Sequence, residues 1–288
     1  MSRIAYVNGR YLPLPHALVH VEDRGFQFAD GVYEVLYRHD GRLIDRELHL
    51  DRLARSLREL RLTAPMGRAA LLVVIDEVAR RNRLASGLIY MQVTRGSAPR
   101  QHVFPRAGTP PTLVVTMRRT GAYPRSVDEW QAGAITLPDT RWARCDIKSV
   151  GLLPNVLARQ AAREAGALEA IFIGDDGMVT EGASTSVFIV DEDGHVVTRP
   201  LSNDILPGCT RSALLARMAE AGVSVEERAF SAQEMRGAAE VFITAATTFV
   251  KPITRLDGTI IGDGAPGPVA RRLFALMSSH VQSMRNVA

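Results

Sequence analysis

Apolar residues alternate along some short runs of the chain and recur every third or fourth position along others, so strands and helices are mixed from end to end. Ile4-Ala5-Tyr6-Val7 and Arg10-Tyr11-Leu12 flank Asn8-Gly9, a pair that favours the type I′ turn of a β-hairpin. Val32 to Tyr37 reads as a second strand that turns at Asp40-Gly41 into Arg42-Leu43-Ile44. Leu50, Leu53, Ala54, Leu57 and Leu60 predict a helix from Glu47 to about Arg61, and Leu71, Leu72, Ile75, Val78 and Ala79 predict another from Arg68 to Arg83. Strands are expected at Leu88 to Thr94 and Thr112 to Met117, with a loop rich in Gly and Pro from Gly96 to Pro111.

The pattern then lapses across Arg118 to Arg125, and a linker is expected at 120–125, between an N-terminal domain 1–119 and a C-terminal domain 126–288. Beyond it, strands are expected at Ala134 to Leu137, Glu169 to Gly174, Met178 to Thr180, Ser186 to Val190, His195 to Thr198, Val223 to Arg228, Val241 to Thr244 and Phe249 to Ile253. Helices are expected at Asn155 to Ala165, Thr210 to Ala221 and Pro268 to Val281, with a short one after the capping box Ser231-Ala232-Gln233-Glu234. The order implies two α+β domains with a cleft between them.

Composition narrows the function classes. A chain of 288 residues, 46% hydrophobic and 23% charged, is globular and long enough for two modest cores. The longest apolar run, Ala69 to Ile75, is far short of the ~20 residues of a membrane helix, and no secretory signal is read at the N-terminus. Two cysteines, Cys145 and Cys209, exclude a disulfide framework and fit a reducing cytoplasm. A net charge of +4, with arginines scattered among 31 acidic residues, argues for a mixed solvated surface and against nucleic acid. Of 35 basic residues only Lys148 and Lys251 are lysines; the other 33 are arginines. Arginine cannot act as an amine nucleophile, whereas a desolvated lysine can form a Schiff base.

Several chemistries fall away. Gly262-Asp263-Gly264-Ala265-Pro266-Gly267 matches the dinucleotide fingerprint, but no acidic residue follows Asp263 to hold a ribose, so it reads as a surface turn. Hydrolase signatures are absent, and the seven histidines lack metal-ligand spacing, so no metal site is expected. Three features remain. Leu206-Pro207-Gly208-Cys209-Thr210-Arg211-Ser212 places glycine at the start of a helix, where N–H groups and dipole attract an anion, although an ordinary N-cap explains it too. Glu181 lies among small and hydroxylated residues in Thr180-Glu181-Gly182-Ala183-Ser184. Lys148 lies in Arg141-Trp142-Ala143-Arg144-Cys145-Asp146-Ile147-Lys148, where nearby arginines are expected to lower an amine's pKa. Lys251, at a strand end before Pro252, reads as a surface residue, which leaves Lys148 as the candidate nucleophile.

An amine, an anion cup and a carboxylate are the groups that pyridoxal phosphate requires. The chain resembles the fold-type IV pyridoxal-phosphate enzymes, and among them most closely the D-amino-acid aminotransferases. The likeness is carried by Asp23-Arg24-Gly25-Phe26-Gln27-Phe28-Ala29-Asp30-Gly31-Val32-Tyr33-Glu34-Val35, His49-Leu50-Asp51-Arg52-Leu53, Gln92-Val93-Thr94-Arg95-Gly96 and Pro99-Arg100-Gln101-His102. It continues through Arg144-Cys145-Asp146-Ile147-Lys148-Ser149, Thr180-Glu181-Gly182 and Gly208-Cys209-Thr210-Arg211.

The resemblance implies a two-domain α+β fold with the cofactor in the interdomain cleft. It implies that Lys148 forms the Schiff base and moves the substrate proton, and that Glu181 pairs with the pyridine nitrogen. Arg52 and the backbone N–H groups of Cys209 and Thr210 would hold the phosphate, and Leu206 would pack under the ring. Tyr33, Arg100 and His102 would bind the substrate carboxylate, with the Arg-x-His loop supplied by the partner of a homodimer. Relatives add a threonine hydroxyl to the phosphate at the position that here is Ala246, so Thr247 or Thr248 takes the role or the contact is lost; Thr247 is the candidate. Phe249 stands where relatives commonly carry an acidic residue. The implied activity is transfer of an amino group from D-amino acids, of the D-alanine type, to a 2-oxo acid such as pyruvate or 2-oxoglutarate, in the cytoplasm. The alternatives on the same scaffold are branched-chain L-amino-acid aminotransferase, (R)-amine transaminase and aminodeoxychorismate lyase.

Overall fold

The computed structural model describes residues 3–121 and 124–283, so two positions of the candidate linker, 122 and 123, lie outside the described residues. Its backbone groups into two compact units, Met1–Gly121 with Ile147–Gly151, and Ala122–Asp146 with Leu152–Ala288.

The first unit opens with the expected hairpin, β1 (Ile4–Val7) and β2 (Arg10–Pro13). Asn8 and Gly9 both take positive φ, as a type I′ turn requires. A short helix, α1 (Arg24–Phe28), precedes β3 (Gly31–His39) and β4 (Arg42–Leu43). Two longer helices, α2 (Arg46–Glu59) and α3 (Arg68–Asn82), lead to β5 (Gly87–Thr94) and β6 (Thr112–Arg118). The strands form one sheet in the order β2-β1-β6-β5-β3-β4. Helices α2 and α3 close its core through Leu50, Leu53, Leu57, Leu71, Ile75 and Val78, which meet Val32, Leu36, Ile89, Met91 and Val115.

Residues 147–151 complete this unit along β3. Tyr33 N donates to Lys148 O (3.0 Å), Val150 N donates to Gly31 O (3.0 Å), and Val32 bridges Ser149. Ile147 enters the same apolar core. Lys148 N also donates to Ser56 Oγ on α2 (3.3 Å).

The second unit contains β7 (Ala132–Pro138), the crossover helix α4 (Leu153–Glu164), and β8 (Glu169–Ile173) parallel to β7. Then follow β9 (Val179–Gly182), β10 (Ser186–Val190), β11 (Val196–Thr198), α5 (Cys209–Glu220), β12 (Val225–Glu227) and α6 (Ala232–Arg236). The chain closes with β13 (Glu240–Ala245), β14 (Phe249–Leu256), β15 (Thr259–Ile260) and α7 (Pro268–Ser283). Among the described residues the strand order is β12-β11-β10-β13-β14-β7-β8-β9, with β15 on β14. One face buries Ile171, Val187, Ile189, Val241, Ile243 and Ile253 around Phe230 and Met235. Ser231 caps α6 by accepting from Glu234 N (3.0 Å), as the capping box predicts. Among the described residues no helix is long and apolar enough to cross a membrane.

Gly96 begins the loop that leads to Arg100. Its φ is +89°, and a Cβ there would stand 2.0 Å from Pro110 O, a backbone atom that cannot yield. Gly96→Ala is therefore expected to destabilise the protein by about 2 kcal/mol or more, read as a lower urea midpoint at unchanged slope.

Candidate active site

Lys148 is half-buried, and its Nζ lies 4.2 Å from the centre of the Tyr33 ring. The structure thus brings together two residues singled out in the sequence. Tyr33 stacks on Tyr90 at 5.7 Å, and burial beside Tyr33 pushes the Tyr90 hydroxyl up to about 12, so Tyr90 stays protonated and donates to Gln92 Oε1 (2.6 Å). The two arginines that precede Lys148 in the sequence are both engaged by carboxylates of the second unit. Arg141 pairs with Asp139 and Glu181, and Arg144 forks onto Asp146 (2.9 and 3.0 Å).

Arg52 lies on the buried face of α2, one turn before Ser56. Its Nε and Nη2 donate to the two carboxylate oxygens of Glu34 on β3, at 2.7 and 2.9 Å. His49 Nδ1 lies 2.8 Å from Glu34 Oε2. Burial alone would raise the Glu34 pKa, but the charge and hydrogen bonds of Arg52, with His49, outweigh it and hold the carboxyl at about 2. Glu34 and His49 are functional supports that the sequence reading passed over. A glutamate in the middle of the run Val32 to Tyr37, within the segment that carries the family likeness, was the available signal.

Arg100 and His102 are exposed on this chain. Both lie against Phe28 of α1: the Arg100 guanidinium stands 4.9 Å from its ring centre, and the His102 ring, tilted by 49°, stands 5.5 Å away. Arg24 fixes the loop between them by donating to Gln101 O (2.6 Å) and to Asp30 Oδ2 (2.9 Å). Their ring contacts run to Phe28, whereas Tyr33 meets Lys148 and Tyr90, so the expected carboxylate-binding residues form two separate groups on the chain.

In the second unit Glu181 sits on β9, 6% exposed, and is not the isolated carboxylate that its sequence neighbours imply. Arg141 Nη1 pairs with its Oε1, while Leu206 N donates to its Oε2 (3.1 Å). Asp139 grips the other edge of the same guanidinium at 2.9 and 2.7 Å and accepts from Thr180 Oγ1 (2.7 Å). Burial works against the Arg141 charge, but these carboxylates raise its pKa still further, so it remains a cation.

Cys209 and Thr210 are the first two residues of α5 and are buried; Leu206 is half-buried just before them. The N-cap is Gly208, which offers no side-chain acceptor to the first turn. A Cβ at Gly208 would stand 2.7 Å from Ser186 Oγ and 3.2 Å from Arg211 Cβ, so the backbone passes close to both side chains. A helix end lacking a side-chain cap suits an anion. Thr247 is exposed in the turn between β13 and β14, whereas Thr248 Oγ1 and Thr244 Oγ1 are buried without a hydrogen-bond partner. Phe249 is buried at the start of β14 with a φ of +49°.

Lys251 departs from its sequence reading. It is 7% exposed within β14, not a surface residue, because its side chain lies on the same face as the apolar Ile243 and Ile253 and under Trp130. Among the described residues, Asp191, Asp193 and His195 are close enough to hold a metal ion, but they form the exposed turn after β10, where Asp191 accepts from His195 N (2.8 Å).

The chain belongs to the class IV aminotransferases: residues 31–256 match the amino-transferase class IV family. It is 40% identical over 276 residues to a D-alanine aminotransferase of Bacillus licheniformis, covering 96% of both chains. It is 38% identical over 270 residues to a D-alanine aminotransferase of Listeria innocua, covering 93% of this chain and 92% of that one. Its fold matches a branched-chain amino acid aminotransferase from T.th., solved with pyridoxamine 5'-phosphate, at a TM-score of 0.89 and 26% identity, over 99% of this chain and 96% of the other.

Replacing Glu34 by Gln leaves a buried guanidinium without its counter-charge and is expected to cost about 3–5 kcal/mol near neutral pH. Because the folded-state pKa lies below the ordinary 4.5, the stabilisation in the parent is complete above about pH 4.5 and fades as the pH falls toward about 2. Urea unfolding across the acid range should show that decline in the parent and a flatter curve in Glu34→Gln.

Proposed function

We propose that this chain is a pyridoxal-phosphate-dependent aminotransferase that moves the amino group of D-amino acids, D-alanine foremost, to 2-oxo acids. The observation that carries the reading is the pairing of Lys148 with Tyr33 in a chain 40% identical to a D-alanine aminotransferase over nearly its full length. The residues present suit the cofactor. Lys148 offers the amine, Glu181 a buried carboxylate for the ring nitrogen, and the glycine-capped start of α5 a cup for the phosphate. The cofactor supplies, when bound, a ring that accepts the electron pair of the breaking Cα–H bond.

The protein's own groups do the rest. Lys148 Nζ takes the proton from Cα of the donor and returns one on the other side of the exchange. Glu181, held by Arg141 and Leu206 N, presents its carboxylate in a fixed direction. Arg52, directed by Glu34, and the Cys209 and Thr210 N–H groups hold the phosphate, with Thr247 adding a hydroxyl; Leu206 packs beneath the ring. Arg100 and His102 bind the substrate carboxylate together with Tyr33, because a guanidinium fork matches a carboxylate. Their exposure on a single chain supports a homodimer in which each subunit lends this loop to its partner. Two buried cysteines outside any disulfide support a cytoplasmic setting.

Two outcomes are expected when pyruvate formation from D-alanine and 2-oxoglutarate is followed. The parent turns over, and Lys148→Ala loses at least about a thousandfold in rate while remaining folded by circular dichroism. Turnover of L-leucine or (R)-1-phenylethylamine without D-alanine would overturn the substrate assignment. Arg100→Leu should raise KM for D-alanine by about tenfold or more, with a smaller effect on cofactor content.

A further inference from the structure

The proposed reaction gives the buried Lys251 no task. Lys251 is the only lysine besides Lys148 in a chain of 33 arginines, and it lies inside β14. Its Nζ stands 3.4 Å from the centre of the Trp130 ring. Trp130 is half-buried at the end of the short 3₁₀ turn Val127–Trp130 that precedes β7. Its Nε1 donates to Thr248 O (2.8 Å). Thr248 N in turn donates to Ala245 O (3.1 Å), and Phe249 follows in the left-handed region. The turn 245–249 is thus tied to the indole, and the indole is held from its face by Lys251.

We propose that Lys251, acting through Trp130, is a positioning residue that fixes the 245–249 turn and so tightens the hold on the cofactor phosphate. The inference rests on the reading of that turn, through Thr247, as a phosphate contact. A desolvated ammonium over an indole is attracted to the ring face, and that attraction fixes the plane from which Nε1 reaches Thr248 O. A neutral amine has no such attraction, so the hold depends on the protonation of Lys251.

Burial pushes the Lys251 ammonium down to about 8. The charged groups around it are otherwise engaged. Asp128, on the Trp130 turn, pairs with Arg271 of α7 (2.6 Å), and Glu129 beside it is exposed. Glu240 of β13 accepts from the α7 amides of Val269 and Ala270 (2.9 and 2.8 Å). On the β14 side Arg255 donates to Gly258 O (2.8 Å), and Asp257 pairs with Arg236 (3.0 Å). Desolvation is the cause of the shift, so the Lys251–Trp130 pair titrates as an amine on an aromatic ring.

The test uses a Trp142→Phe parent, in which Trp130 is the remaining tryptophan. Trp130 emission, followed from about pH 6 to about pH 10, is expected to change with a midpoint near pH 8. Lys251→Met and Lys251→Arg should abolish that transition. The dissociation constant for pyridoxal phosphate, measured by equilibrium dialysis, should rise between about pH 7 and about pH 9 roughly fivefold more in the parent than in either variant. Lys251→Arg should match the parent at the lower pH, and Lys251→Met and Trp130→Phe should be weak throughout. Other effects of pH on cofactor binding are common to all and cancel in the ratio. No emission transition near pH 8, or a Lys251→Met protein that keeps the parent's alkaline loss, would overturn the proposal. Thr247→Ala separates the two layers. Weaker cofactor binding in Thr247→Ala alone overturns the role of Lys251 and keeps the phosphate reading; unchanged binding in both variants overturns the phosphate reading and the proposal with it.

Discussion

Glu34 is a carboxylate with no exposed surface, and the first unit is arranged so that it can remain ionised. An unpaired charge in that position would cost several kcal/mol, so a partner must stand at hydrogen-bond distance with the right geometry. Arg52 meets it with two parallel bonds and His49 with a third contact. Both come from one face of α2, and Ser56, a turn farther along that face, receives Lys148 N. The position of α2 against β3 is therefore set by charge geometry as well as by the leucines that share the interface. Its consequence reaches the proposed site: the same helix face directs the Arg52 guanidinium and anchors the backbone of Lys148.

The second unit applies the same logic to Glu181. Arg141 joins it to Asp139 in a buried cluster, and the peptide N–H of Leu206 fixes the remaining oxygen. A carboxylate held in this way is aimed in a fixed direction, which is what the partner of a ring nitrogen needs. These groups stand on a strand, a helix and their flanking segments, where packing limits movement to a fraction of a side-chain length. Arg100 and His102 are the exception. They sit on a loop, and Phe28 with Arg24 supplies the rigidity that secondary structure would otherwise give.

Long, periodic elements were legible in the sequence because periodicity reports a buried face. The hairpin at Asn8-Gly9, the helices α2, α3, α5 and α7 and the capped start of α6 all lie within a few residues of their expected limits. Helix α1 was not legible: five residues with a glycine at the second carry no period, and the helix is made by Asp23 accepting from Gly25 N and by Ala29 turning left-handed. Among single residues, Lys148 stood out because lysine is rare here, while the same rarity at Lys251 was discounted because proline follows it. Proline marks the end of many strands, but Pro252 lies inside β14, where neighbouring strands bury the lysine before it. The ion pairs of Arg52 and Arg141 were out of reach, since partners such as Glu34 and Glu181 are distant in sequence and nothing local records them.

The segment 147–151 gives the chain a property that neither sheet has alone. It belongs with β3 of the first unit, yet residues of the second unit precede and follow it. No single cut can release the first unit whole, and a fragment ending at residue 121 would leave Gly31 O and Tyr33 N without their chain partners along β3. During synthesis the first sheet must wait for the stretch beyond residue 146 to emerge before that edge is satisfied. Lys148 thus arrives with the last piece of the first unit, so a polypeptide interrupted before it holds an unfinished sheet and lacks the amine proposed to carry the cofactor.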